Sequence, residues 1–172
     1  MARAPKKEQT GRDSAFVERR RAMGGLAFFR HMLEGQMPQA PMTKLLNMRL
    51  LEVDEGRVVF GARPTRDHYN GMGVVHGGLA ATLLDSALGC AINSMAPPGK
   101  IFTTLELKIN YTRPLTEEVG DIRCEARVIH LGSRTATAEG RIVDADGKLY
   151  AHGTTTCIVV EAGKKKARMK RD

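Results

Sequence analysis

Residues 76–94, HGGLAATLLDSALGCAINS, carry a single formal charge, Asp85, in nineteen positions. A stretch this long and this apolar predicts one helix that must be covered on nearly every side. It opens on His76, Gly77 and Gly78, and Asp85 follows nine residues after the histidine, among Leu83, Leu84, Ala87 and Leu88. The start of a helix offers free backbone N–H groups and the positive end of the dipole, which suits an oxygen gaining negative charge. A carboxylate among leucines is costly to bury unless it is partnered or used. The two features together suggest acyl-group chemistry. Residues 77–96 reach the length of a membrane span, but Asp85, Asn93, many small residues and the lack of basic anchors favour a buried core helix, and no membrane partner is expected.

The flanks say what covers the helix. Before it, 48–53 and 57–63 read as two strands joined by the turn residues Asp54, Glu55 and Gly56. After Pro97-Pro98-Gly99 the hydropathy alternates. In 101–112 the odd positions Ile101, Leu105, Leu107, Ile109 and Tyr111 are apolar, against Glu106, Lys108 and Asn110. Similar period-2 runs occupy 121–129, 134–143 and, past an Asp146-Gly147 turn, 148–160. The expected class is α+β: a curved antiparallel sheet wrapped around one long helix. Upstream, 14–36 has a helical pattern interrupted at Gly24-Gly25 and ended by Pro38 and Pro41, with a turn of helix at 43–47. This divides the chain into a basic arm and helical segment (1–42), one domain (43–160) and a basic tail (161–172).

Charge helps exclude one class. The chain has 172 residues and a net charge of +8. Residues 1–22 and 161–172 each hold a net +4, while 23–160 balances fourteen basic against fourteen acidic residues. Without stacking aromatics these ends read as solvated arms, so no nucleic acid is expected. Cys90, Cys124 and Cys157 form neither a CxxC pair nor a secreted disulfide pattern, and the N-terminus lacks a signal-peptide apolar run; a reducing cytoplasm is the simple reading. His31, His68, His130 and His152 show no metal-ligand spacing, so neither metal nor cofactor is expected.

Asn70, then HGG six residues on, then Asp85, within HYNGMGVVHGGLAATLLD (68–85), resembles the PaaI-like (phenylacetic acid degradation type) group of hotdog-fold thioesterases. The resemblance covers about residues 43–160 and includes the strand at 104–111 and the LGSRTATAEG hairpin; the N-terminal extension and basic tail lie outside it. It implies a hotdog fold, with one long helix wrapped by five or six antiparallel strands. It also implies homodimers with a continuous sheet, usually paired into tetramers, that hydrolyse acyl-CoA at the dimer interface. Asp85 then corresponds to the catalytic carboxylate, Gly77 to the N–H that polarises the thioester carbonyl, Asn70 and His76 to residues shaping that end, and Thr104 to the hydroxyl that helps hold water. The carboxylate and hydroxyl would come from one subunit and the Asn/His/Gly loop from the other. Arg134, in the 132–134 turn, corresponds to a hairpin that reaches CoA phosphates in relatives, though a solvated turn residue is an equal reading.

The chemistry suits these residues independently. Gly77 and Gly78 let a substrate approach the backbone. Asp85 can act as general base on water or attack directly, and the base route is preferred because Thr104 can hold a water beside it. Thiolate leaves readily, so no second acid is needed. His76 reads as support rather than proton carrier, and Cys90 as core. The expected function is hydrolysis of aryl- or medium-chain acyl-CoA. The alternatives are a hotdog hydratase or dehydratase, which wants a histidine and acid paired in a different order, and a non-catalytic acyl-CoA-binding regulator using the basic arms.

Overall fold

The computed structural model describes residues 14–161. Two short helices, α1 (Ser14–Ala22) and α2 (Gly25–Leu33), precede α3 (Pro41–Leu45), β1 (Met48–Asp54) and β2 (Arg57–Ala62). The long helix α4 (Gly77–Ser94) follows, and then β3 (Lys100–Tyr111), β4 (Ile122–Leu131), β5 (Thr135–Val143) and β6 (Leu149–Glu161). The strands form one six-stranded sheet in the order β1-β2-β4-β5-β6-β3, antiparallel at every pairing. This is the α+β hotdog architecture, and α4 touches all six strands.

Period-2 patterning sets which side of each strand meets the helix. Val58, Phe60 and Ala62 of β2, Ile122, Cys124 and Ala126 of β4, and Ala136, Ala138 and Ile142 of β5 are buried with Leu83, Leu84, Leu88 and Ile92 of α4 in one apolar core. Each large side chain so enclosed contributes about 1.5–3 kcal/mol. The expected 14–36 helix divides at its glycine pair. Gly24 is extended (φ −66°, ψ 156°) and is the N-cap of α2. A Cβ on Gly25 would stand 1.6 Å from the Asn93 carbonyl oxygen, so α2 crosses α4 at a point only glycine allows. Phe28, Phe29 and Met37 join the same core.

Two expectations are corrected. The sheet does not cover α4 all round: Gly78, Ala81, Thr82, Asp85, Ser86, Gly89 and Asn93 form a half-buried stripe along its length. Small residues there leave the helix backbone close to the surface. The alternation along β3 also breaks. Thr104 pairs with Cys157 and Glu106 with Thr156, so Leu105 is an extra, bulged residue and is 60% exposed. Before the bulge the even positions Phe102 and Thr104 face the helix, and after it the odd positions Leu107 and Ile109 do. Tyr111, expected to point inward, is 56% exposed. Among the described residues no helix is long and apolar enough to cross a membrane.

Candidate active site

The entry to α4 is built by the loop before it. His76 is the N-cap, extended at φ −59° and ψ 133°, and its Nδ1 accepts the Gly78 N–H at 2.8 Å. Its own N–H donates to the His68 carbonyl at 2.7 Å, and the Leu79 N–H to the His76 carbonyl at 3.0 Å. Those bonds use the donors on either side of Gly77. The Gly77 N–H, first in the helix, has no acceptor among the described residues and cannot find one within the helix. Asn70 organises the loop: its Oδ1 accepts the Met72 N–H at 2.8 Å and its N–H donates to the Val74 carbonyl at 2.8 Å. Gly73 completes that turn in the left-handed region at φ 79°, where a side chain would be strained.

Tyr111, on the apolar parity of its strand, belongs to this end of the site instead. Its hydroxyl donates to the Gly77 carbonyl at 3.2 Å, and its ring lies 3.3 Å from where a Gly77 Cβ would stand. Beside it runs a largely apolar groove of about 370 Å³, walled by Met72, Val75, Gly77, Tyr111, Arg113 and Leu115.

Asp85 and Thr104 form a second centre. The bulge after Thr104 leaves its hydroxyl on the helix side, where Oγ1 donates to Asp85 Oδ1 at 2.8 Å. The Cys157 thiol lies 4.0 Å from the same hydroxyl. The Cys90 thiol, one turn further along α4, is pushed up to about 12 by desolvation, with the Asp85 charge adding to the effect. It stays a thiol at any ordinary pH, which fits a half-buried residue packed against the core and not a nucleophile.

The structure therefore joins Asp85 with Thr104, and Asn70, His76, Gly77 and Gly78 with one another, but does not join the two groups. Gly77 and Asp85 are eight residues apart on one helix, about 12 Å at 1.5 Å per residue. Arg134 stands at the β4–β5 turn. Its carbonyl accepts the Val159 N–H at 2.9 Å, and its exposed guanidinium pairs with no described residue. A second unforeseen residue is Asn93, whose carboxamide bonds the backbone of Phe102.

Comparison with known proteins identifies the family and the fold. The thioesterase superfamily model matches residues 72–151, from the Met72 loop through α4 to β6. A candidate esterase of Halobacterium salinarum is 35% identical over 94 residues, which are 54% of this chain and 60% of that protein. Acyl-coenzyme A thioesterase 13 of Homo sapiens is 31% identical over 111 residues, 62% of this chain and 76% of that one. Among solved structures, a mutant of the phenylacetic acid degradation protein PaaI from Thermus thermophilus superposes with a TM-score of 0.62 at 31% identity, covering 69% of this chain and 97% of that chain. The chain belongs to the thioesterase superfamily, a family of thioester hydrolases, and carries its hotdog fold.

Proposed function

We propose that the protein hydrolyses acyl-CoA thioesters of the aryl or medium-chain class, in sites assembled between two copies of the chain. One observation carries the reading: Thr104 holds the Asp85 carboxylate at 2.8 Å, while the unpartnered Gly77 N–H lies about 12 Å away along the same helix. A carboxylate with a positioned hydroxyl and a free helix-start N–H are the two halves of an acyl-transfer site. They act on one carbonyl if each half comes from a different copy.

Two surfaces support the second copy. Among the described residues β3 is a twelve-residue edge strand whose outer backbone groups beyond Phe102 have no strand partner, an arrangement that invites pairing with another chain. Leu105 and Tyr111 stand exposed along it, and the small-residue stripe of α4 lies alongside. Pairing of two β3 strands continues the sheet and covers the stripe, and such dimers pair into tetramers in the reading that the resemblance implies. The substrate class is supported by the name of the human relative, by the phenylacetic acid setting of the Thermus protein and by the apolar groove beside Gly77. Arg134, exposed at its turn, is the candidate for a CoA phosphate.

The reaction uses these groups in order. The Thr104 hydrogen is committed to Asp85, so the hydroxyl oxygen accepts from a water. Asp85 takes a proton from that water as its oxygen bonds to the thioester carbon. The charge appearing on the carbonyl oxygen meets the Gly77 N–H and helix dipole of the second copy, a donor of about 3 kcal/mol. Collapse breaks the C–S bond, the CoA thiolate leaves, and it recovers the proton, giving a carboxylic acid and free CoA.

The test is thiol release from phenylacetyl-, benzoyl-, hexanoyl-, decanoyl- and palmitoyl-CoA by the natural chain and by Asp85→Asn. The expected result is turnover of an aryl or medium-chain member, reduced by roughly 10²–10⁴-fold in the variant with CoA binding kept. Binding without release by the natural chain would contradict the proposal and favour a non-catalytic acyl-CoA binder.

A further inference from the structure

The carboxamide of Asn93 reaches from the last turn of α4 to the start of β3 and takes both backbone groups of one residue. Its Oδ1 accepts the Phe102 N–H at 2.9 Å, and its Nδ2 donates to the Phe102 carbonyl at 2.8 Å and to the Gly89 carbonyl at 2.9 Å. Both amide hydrogens and one acceptor position are engaged, so the side chain has a single orientation. Phe102 pairs with Val159 without sharing these groups with it, because the Val159 N–H turns the other way, to the Arg134 carbonyl. Asn93 thus stands where the peptide of a neighbouring strand would, on the open edge of β3.

The consequence falls two residues further on. β6 holds β3 from one side only, and the ladder is interrupted at Leu105, immediately after Thr104. That leaves Thr104 on an edge strand, next to a bulge, with slack on its unpaired side. Its hydroxyl must nevertheless meet a carboxylate on a different element to within a few tenths of an ångström. Asn93 and Asp85 share one rigid helix, and Phe102 and Thr104 share one short run of strand of about 7 Å. Fixing Phe102 to the helix therefore fixes Thr104 relative to Asp85.

We propose that Asn93 is a positioning residue for the hydrolytic site, clamping β3 to α4 so that Thr104 meets Asp85. This rests on the assignment of Asp85 and Thr104 proposed above. Because Asn93 acts through Thr104, its removal should cost nothing once the Thr104 hydroxyl is gone.

The test is a double-mutant cycle of Asn93→Ala and Thr104→Ala in the full chain, reading kcat and KM by thiol release from an acyl-CoA that the natural chain turns over. The expected result is a fall in kcat of about tenfold or more in each single variant, with KM within about twofold, and a double variant no slower than T104A. If N93A does not fold, Asn93→Asp replaces it in the cycle: it keeps the acceptor for the Phe102 N–H and removes both donors, and the same non-additivity is expected. Losses that multiply, or an unaltered kcat in the Asn93 variant when T104A is slow, would overturn the clamp and leave the Thr104 assignment standing. A T104A of natural rate would instead remove Thr104 from the chemistry, and this inference with it.

Discussion

Gly77 can be tested by deleting one hydrogen. Proline at this position removes the N–H and is compatible with the local backbone, because Gly77 is the first residue of α4, where proline is favoured. The preceding His76, at φ −59° and ψ 133°, already has the extended conformation that a following proline demands. No described residue accepts the Gly77 N–H, so the fold loses no hydrogen bond. The added Cβ meets the Tyr111 ring at 3.3 Å, and Gly77→Ala introduces the same Cβ contact with the N–H retained. The ratio of the two variants isolates the donor. A donor aimed at a developing oxyanion is worth about 3 kcal/mol, so kcat for thiol release should be about 10²–10³-fold lower in G77P than in G77A. Thermal midpoints of the two should agree within a few degrees. Equal kcat in both would refute the role of the N–H, whatever either variant does relative to the natural chain.

Two further outcomes follow from the geometry. A Cβ on Gly78 would come 2.8 Å from the His76 Nδ1 that caps the helix, so Gly78→Ala should displace the imidazole and lower stability by about 1 kcal/mol, read by chemical denaturation. On the other face of the sheet, Arg57 pairs with Glu52, Asp54 and Glu125, and Arg123 with Glu52. Arg123 and Arg57 hold the Glu52 carboxyl below its usual value, and Arg57 does the same for Glu125. A carboxylate lowered in the fold stabilises above its unfolded value and loses that contribution as pH falls through the folded one. The thermal midpoint should therefore drop on acidification below the ordinary carboxylate range, and Arg57→Met should flatten that dependence; an equally steep drop in the variant would show that the ion pairs are not its source.

What could be read from the chain, and what could not, divides along contiguity. The α4 helix, its histidine cap and the apolar faces of β2, β4 and β5 are local patterns, each written in a dozen or so consecutive residues. Thr104 is different. Parity counted back from Tyr111 turns it away from the helix, and only the bulge at Leu105 restores it; no residue type in KIFTTLELKINY marks that insertion. The small residues of the half-buried stripe on α4, Ala81, Ser86 and Gly89, read as core in the sequence because Ala, Gly and Ser are as common inside proteins as at close-packed interfaces. Asn93 bonds to the backbone of Phe102, nine residues away, and a backbone partner leaves no trace in side-chain chemistry. Gly25 shows the same limit: a glycine at a break predicts a turn, whereas its tight approach to the Asn93 carbonyl belongs to helix crossing.

The central claim is that each site takes its carboxylate from one chain and its N–H from another, and mixing two disabled chains tests it. Asp85→Asn retains Gly77, and Gly77→Pro retains Asp85. Differently tagged chains, co-expressed in equal amounts and purified together, should give dimers of which about half are mixed, each with one intact site, and so about a quarter of the natural activity. Recovery at that level from two parents near background is the predicted result. Mixed dimers isolated through both tags that remain at background would contradict the shared site.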